Sequence, residues 1–180
     1  NLDNYPQVVK GTQYTTFYYD ADGNRILTVL PNGTKVYTPF PEYEKTIPTS
    51  GAATERSSYY LAGQLIAVWV KVGAAAGTLY YAFADQLGNV SAWTSPSGTL
   101  ETNSLARYDP YGNYRTEPGT NVNPGISERG FTGHRMNNTD VNDLGLIYMN
   151  ARYYLPEVGR FISVDTIVPE PKEPQSYNVS

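Results

Sequence analysis

The segment Asp20–Asn24 places two carboxylates and an amide close together, a grouping that could hold a hard cation such as Ca²⁺. A calcium loop of the EF-hand type that starts at such an aspartate requires Gly at its sixth position and Glu at its twelfth. Those positions hold Arg25 and Pro31 here. The segment is therefore predicted to be a tight hairpin turn, and no metal or other cofactor is expected.

Composition restricts the nucleophilic and imidazole chemistry that the chain could perform. The chain has no Cys, which excludes disulfides, thiolate catalysis and thiol-ligated metals. His134 is the only histidine, so metal sites built on several imidazoles are excluded. No Gly-x-Ser-x-Gly elbow is present to position a serine nucleophile. His134 is therefore predicted to be a polar turn residue beside Arg135.

The 17 tyrosines could form a sugar-binding surface, because a tyrosine ring can stack on a pyranose. Most of them stand at strand spacing, as Tyr14 and Tyr18 do, where cross-strand aromatic pairs stabilise a sheet by roughly 0.2–1 kcal/mol each. Adjacent tyrosines place one ring on each face of a sheet, which suits a sheet with two covered faces. Glycan binding stays an alternative to this structural role.

Charge and hydropathy exclude two classes of partner. The net charge is -4, and the 13 Lys and Arg residues are scattered singly, so nucleic acid is not expected to bind. The most apolar run, Leu61–Val72, contains Gln64 and Lys71 and is far shorter than the roughly 20 residues that span a bilayer. It is predicted to be a strand, and no membrane span is expected.

A repeated turn motif indicates the elements that would position these side chains. Gly supplies positive φ at no steric cost, and Asp can accept a hydrogen bond from the backbone two residues on. An Asp-x-x-Gly-Asn motif with tyrosine a short distance upstream therefore predicts a turn between two strands. The motif occurs at Tyr19, Asp20 and Gly23, at Asp85 and Gly88, and at Asp109 and Gly112.

The chain is predicted to be all-β, with long antiparallel hairpins and little or no helix. Residues 1–167 form one domain in this interpretation, with irregular loops at 38–58 and 115–129, where Pro and Gly accumulate. The stretch 59–72 is one long strand or two. Residues 168–180 are too rich in Pro for an interior strand and are predicted to be an extended tail. Because Asn1 lies within sequence that already has a strand pattern, we expect the chain to belong to a longer protein.

Ordered blocks of the sequence lie at residues 17–26, 59–67, 79–90, 108–112, 130–133 and 145–165. They resemble the Rhs/YD-repeat family, specifically the C-terminal part of its Rhs-associated core. The first block resembles one YD repeat, the next two the opening of the core, and the last three its continuation. The motif positions that carry the resemblance are Tyr19, Asp20, Gly23, Asp85, Gly88, Asp109, Gly112, Arg152, Tyr153, Tyr154, Gly159, Arg160 and Phe161. Leu155 departs from the pattern, which usually has Asp there.

The resemblance implies a curved sheet strip that, in full-length relatives, spirals into a hollow shell. Relatives are secreted or displayed on the cell surface, and several enclose a toxin. In some of them the core releases that cargo by an aspartyl-protease-like self-cleavage.

The resemblance makes Asp165 the first aspartate of the self-cleaving pair, with Arg160 close before it. Such a mechanism needs two carboxylates that share a proton, and the resemblance places the second one beyond Ser180. Asp165 and Arg160 are therefore expected to bond to the backbone and to each other. Self-cleavage of a longer precursor stays an alternative.

The function expected from these features is that of a secreted structural module. A strip cut from a spiral shell has unpaired strand edges, which template further pairing. We expect the chain to associate with other copies of itself, which could extend into filaments, or with the rest of a shell. The alternatives are a self-processing core fragment and a surface adhesin that binds glycans.

Overall fold

A computed structural model describes residues 8–10, 14–115, 125–137, 145–150 and 152–163. Within these ranges the chain forms β-strands and a single 3-10 turn at Phe131–Gly133. The strands are β1 Val8–Lys10, β2 Tyr14–Tyr19, β3 Arg25–Val29, β4 Lys35–Phe40, β5 Tyr43–Ile47, β6 Thr54–Leu61, β7 Gln64–Val72, β8 Thr78–Ala84, β9 Val90–Thr94, β10 Arg135–Asn137, β11 Leu146–Met149, β12 Arg152–Leu155 and β13 Arg160–Phe161. The all-β prediction is confirmed.

The strands build two antiparallel meanders. Strands β1 to β9 form one sheet in sequence order, and β10 to β13 form a second sheet, also in sequence order. Within each sheet, every strand pairs with its neighbours in the chain. β9 and β10 belong to different sheets and do not pair with each other. Neither sheet closes on itself among the described residues, so β1 and β9 are the edge strands of the first sheet and β10 and β13 those of the second.

The prediction of an irregular loop over 38–58 is wrong. This segment contains the end of β4, all of β5 and the first half of β6. The prolines do not interrupt pairing because they stand where no ladder N–H is needed. Pro39 lies where the β4–β5 register shifts, Pro41 begins the tight turn, and Pro48 follows β5 directly. Between the strands, residues 41–42 form the turn and residues 48–53 are irregular.

Two other parts of the predicted organisation fall largely on residues that the structure does not describe. The loop predicted at 115–129 includes 116–124, which lie outside the described residues. The Pro-rich tail predicted at 168–180 lies wholly outside them. Both assignments stay predictions.

The stretch 59–72 contains parts of two strands rather than one long strand. Strands β6 and β7 are joined by Ala62 and Gly63, whose φ angles are 49° and 81°. Two consecutive residues with positive φ match the right-handed twist of the flanking strands, as in a type I′ hairpin. Tyr59 pairs with Ala67 across this hairpin, and Ala67 pairs with Tyr81 on β8.

Two clusters of buried apolar side chains form the core. One cluster consists of Leu65, Val68, Val90, Trp93 and Ile126, which bring the segment after residue 124 onto β7 and β9. The other consists of Phe17, Leu146, Tyr148 and Tyr153, which bring β2 against β11 and β12. The second cluster therefore joins the two sheets.

Candidate functional site

The proposed catalytic pair cannot be assembled from the described residues, since Asp165 lies outside them. Arg160 opens β13, where it is exposed to solvent and pairs with Leu155 of β12. Within the described part of the chain, Arg160 makes no ion pair. The expected contact between Arg160 and Asp165 stays a prediction.

The aspartates of the turn motif bind backbone N–H groups. Asp20 Oδ1 accepts hydrogen bonds from the N–H groups of Asp22 at 3.0 Å and Asn24 at 2.8 Å. The bonds from Asn24 hold the pKa of Asp20 below its usual value. The same two bonds recur at Asp85, from Leu87 at 2.9 Å and Asn89 at 3.0 Å, and at Asp109, from Tyr111 and Asn113 at 3.0 Å each. These carboxylates cap turns, as predicted for the Asp20 segment.

Two of these turns meet at the 3-10 turn Phe131–Gly133. Asn89 is buried, and its amide accepts a hydrogen bond from the N–H of Thr132 at 2.7 Å while donating to Asp85 at 2.7 Å. Gly112 has a φ of 94° and lies against the Phe131 ring, where an added Cβ would come within 2.6 Å of Cδ1. The Asp85 and Asp109 turns therefore pack against the same short segment.

Arg25 occupies an aromatic box where the two sheets meet. Its side chain is only 5% exposed, and its guanidinium carbon lies 4.2 Å from the ring centroid of Tyr148 and 5.5 Å from that of Phe17. Its Nη1 donates to the hydroxyl oxygen of Tyr153 at 3.1 Å, and its backbone N–H donates to the hydroxyl oxygen of Tyr148 at 3.1 Å. A cation that stacks on aromatic rings and is shielded from water stabilises the contact between the two sheets.

A buried ion pair crosses between the sheets beside this box. Glu44 of β5 accepts a hydrogen bond from Arg135 of β10 on one oxygen, and from Arg56 of β6 on the other at 3.0 Å. Glu44 and Arg135 are 4% and 7% exposed. Burial alone would raise the pKa of Glu44, but Arg135 and Arg56 hold it below its usual value. Glu44 is therefore ionised at neutral pH.

Two further charged residues, Glu128 and Arg129, lie next to this ion pair. Burial, and then the carboxylate of Glu44, raises the pKa of Glu128 to about 7. Arg129 donates from Nη1 to the carbonyl of Gly133 at 3.1 Å and from Nη2 to that of Pro41 at 2.8 Å. Burial and the nearby guanidinium of Arg135 lower the pKa of Arg129. Neither side chain forms an ion pair within the described residues.

Two neighbouring cavities open onto this charged region. The first has a volume of about 300 Å³ and the second about 480 Å³. The first is lined by Asn24, Arg25, Thr38, Pro39, Phe40, Pro41, Arg129, Arg135, Tyr148 and Asn150. The second shares Asn24, Pro41, Arg129 and Asn150 with it and is also lined by Tyr60 and His134. Basic and amide side chains therefore dominate the polar lining of the first cavity.

His134 lies in a turn beside Arg135. Its Nδ1 is 2.8 Å from the hydroxyl of Thr132. Burial, and then Arg129, lowers its pKa, so the imidazole is neutral at pH 7. Within the described residues, no group of three or more His, Asp or Glu side chains is placed to hold a metal ion.

The sequence carries no local signal for the charged region. Glu44 lies within the predicted loop 38–58, where no core residue is expected. As a strand, Tyr43–Ile47 alternates with Tyr43 and Ile47 on one face and Glu44 and Thr46 on the other, and the polar face would be assigned to solvent. The structure shows the reverse, because Glu44 is buried and Ile47 is exposed. The partner of Glu44, Arg135, is 91 residues away and could not be read from spacing.

No helix in the described part of the chain has the length and apolar character needed to cross a bilayer.

Comparisons with known proteins agree with the fold. No protein-family model matches the chain, and no curated protein matches it either. Among solved structures, TcdB2-TccC3 matches 86% of this chain with a TM-score of 0.68 at 20% sequence identity. The chain has an Rhs-like fold.

Related TcdB2-TccC3 structures give the same result. The complex TcdB2-TccC3-Cdc42 and TcdB2-TccC3 without its hypervariable C-terminal region both match with a TM-score of 0.69 at 19% identity. This chain spans 8% of the TcdB2-TccC3 chain in each case. At this identity the likeness concerns the fold of one segment.

Proposed function

We propose that this chain is a structural segment of a secreted Rhs-type shell, related to the C-terminal part of the Rhs-associated core. The observation that carries the proposal is the meander itself, in which each strand pairs with its sequence neighbours. A sheet built only of successive hairpins can be lengthened at either end without rearranging its interior. That property suits the extended β-sheet of a shell better than it suits a catalytic pocket.

The proposed mode of association is strand addition at the open edges. Among the described residues, β1 pairs only with β2, and β13 pairs only with β12. The outer sides of β9 and β10 are covered instead, by hydrogen bonds such as that from the N–H of Ala106 to Ser91 and that from Met136 to Glu128. Strands of a second copy, or of neighbouring shell sequence, would therefore add at β1 and β13.

The experiment compares assembly of the full chain with that of variants shortened at one end. Deletion of residues 1–10 or 169–180 is expected to abolish assembly, measured by light scattering, and to leave the β-sheet circular dichroism intact. If both truncated chains still assemble, association does not depend on the chain ends and this part of the proposal is wrong.

A matched pair of substitutions separates edge pairing from general surface effects. Charged residues on an edge strand oppose pairing with another chain, so Val8→Lys combined with Val9→Lys is expected to weaken assembly. Ile66→Lys adds a charge at an exposed position of the interior strand β7 and is expected to leave assembly unchanged. Equal behaviour of the two variants would contradict edge pairing.

Glycan binding is a second candidate, favoured by one face of the larger sheet. Tyr59 and Tyr81 are 50% and 44% exposed and flank the buried Ala67 in register, and Phe83 lies two residues beyond Tyr81 at 56% exposure. Such a surface could stack on sugar rings. A glycan array tests this candidate. Binding that is lost in Tyr81→Ala supports an adhesin, and an array without signal rules out glycan binding and leaves the shell segment as the proposed function.

A further inference from the structure

Three guanidinium groups from separate parts of the chain line the first cavity. Arg25 comes from β3, Arg135 from β10, and Arg129 from the segment just before the 3-10 turn. No carboxylate is among the described residues that line this cavity. Glu42 lines the second cavity. The buried carboxylate of Glu44 is already engaged by both Arg135 and Arg56.

The charges around the cavity do not balance. Among the described residues of this region, four arginines meet three glutamates, namely Arg25, Arg56, Arg129 and Arg135 with Glu42, Glu44 and Glu128. The surplus is at least one positive charge, in a chain whose net charge is -4. An uncompensated charge removed from water is costly, and a counter-ion of opposite sign removes that cost.

Arg25 supplies a second, independent observation. Its Nε is buried and has no hydrogen-bond partner among the described residues, although its Nη1 is satisfied by Tyr153. Stacking on Tyr148 involves the face of the guanidinium and leaves its in-plane N–H groups to be satisfied by other acceptors. A buried guanidinium that lines a cavity and has an N–H group without an acceptor is suited to an oxyanion, since planar N–H groups match carboxylate and phosphate oxygens.

We propose that the cavity between the two sheets is a binding site for a small divalent oxyanion, a phosphate or a dicarboxylate. The anion offsets the surplus charge of Arg25, Arg129 and Arg135, and the amides of Asn24 and Asn150 provide neutral donors in the same lining. A volume of about 300 Å³ accommodates an anion of this size together with water. The inference concerns a site apart from the strand edges and does not depend on the shell proposal.

The test titrates the full chain by calorimetry in a zwitterionic buffer with inorganic phosphate and, separately, with succinate. Saturable one-site binding of at least one of the two is expected, with a rise in Tm because an anion that binds only the folded state stabilises it. The better of the two probes identifies the preferred class of anion. If neither phosphate nor succinate shows saturable binding and neither raises the Tm, the proposal is overturned.

Two variants inside the cavity and one outside it locate the site. Arg129→Gln removes one cation, and Asn150→Asp adds a carboxylate of nearly the same shape at a position whose φ of 58° Asp also tolerates. Each is expected to weaken binding by about tenfold or more. Arg115→Gln removes an exposed arginine outside the cavity lining and is expected to bind as the parent does.

The variants also keep the proposal testable if one of them fails to fold. Asn150→Asp removes no buried contact of the charged cluster, so its folded state, verified by circular dichroism, is expected to persist even where Arg129→Gln is unstable. If folded Asn150→Asp binds the anion as tightly as the parent chain, the anion lies elsewhere and the proposal is wrong.

Discussion

The guanidinium of Arg25 lies 4.2 Å from the ring centroid of Tyr148, a residue 123 positions later in the chain. The hydroxyl of Tyr148 also accepts the backbone N–H of Arg25 at 3.1 Å. One aromatic residue of β11 therefore holds both the main chain and the side chain of the first residue of β3. The two sheets are joined by this contact and by the ion pair between Glu44 and Arg135.

Removal of the Tyr148 hydroxyl tests the first contact. Tyr148→Phe leaves the backbone N–H of Arg25 buried without that acceptor, which is expected to lower the free energy of unfolding by about 1–3 kcal/mol. Urea denaturation measures it. Tyr81→Phe removes the hydroxyl of an exposed tyrosine and is expected to leave the free energy of unfolding unchanged. Equal losses in both variants would show that the hydrogen bond to the Tyr148 hydroxyl does not stabilise the fold.

Removal of the Glu44 charge tests the second contact. Glu44→Gln leaves Arg135 and Arg56 without their carboxylate, and breaking one side of a buried ion pair costs about 3–5 kcal/mol. The matched control is Glu55→Gln, which breaks the ion pair of Glu55 with Lys45 at 2.9 Å on the exposed surface of β5 and β6. Little change is expected there, because water and salt screen such a pair. If the Glu44→Gln protein is as stable as the Glu55→Gln protein, the ion pair of Glu44 does not stabilise the contact between the two sheets.

The raised pKa of Glu128 predicts the pH dependence of stability. The carboxyl of an unfolded Glu has a pKa near 4.5, and that of the folded Glu128 has a pKa of about 7. The folded state therefore holds more protons between these values, so this group makes the protein less stable as pH rises through that window. Glu128→Gln removes the effect and is expected to stabilise the protein at pH 8 by about 1–3 kcal/mol relative to pH 4.5.

The measurement for Glu128 is the difference in unfolding free energy between the variant and the parent chain at several pH values. The neighbouring Glu44 has a lowered pKa, so its own contribution is lost only at lower pH, as pH falls below about 4.5. A difference that stays constant between pH 4.5 and 8 would mean that Glu128 titrates normally.

Substitution of Gly112 tests how the turn at Asp109 packs against Phe131. Gly112→Ala introduces strain at a φ of 94° and also places a Cβ 2.6 Å from the Phe131 ring, so a loss of about 2–4 kcal/mol is expected. Gly98→Ala has a similar φ of 84° with open space around it, and should show only the conformational part, about 1–2 kcal/mol. Thermal unfolding of the two variants compares them directly. Equal losses would show that contact with Phe131 adds nothing.

Local signals predicted the parts of the fold that depend on neighbouring residues. The turn at Asp20–Asn24 follows from an aspartate that bonds the backbone two and four residues on, and from a glycine with positive φ. The density of Pro over 38–58 was misleading because proline at strand ends resembles proline in a loop. Pro39, at a register shift, and Pro41, in a turn, are both compatible with the strands around them.

The charged site could not have been predicted in the same way. Glu44 meets Arg135 across 91 residues, and Arg25 meets Tyr153 across 128, so no spacing in the sequence reports either contact. The balance of charge in the region depends on how the two sheets pack. The sequence resemblance directed attention to Arg160 and Asp165, whereas the described residues bring Arg25, Arg129 and Arg135 to a common cavity.

Association through strand edges makes the full chain an assembly of several copies. Multi-angle light scattering of the full chain across a range of concentrations at neutral pH, with negative-stain electron microscopy of the same samples, measures this association. Edge pairing predicts a mass well above 19.9 kDa that rises with concentration, and regular rings or filaments on the grid. A single species of 19.9 kDa at all concentrations, with no ordered particles, would show that the strand edges do not pair.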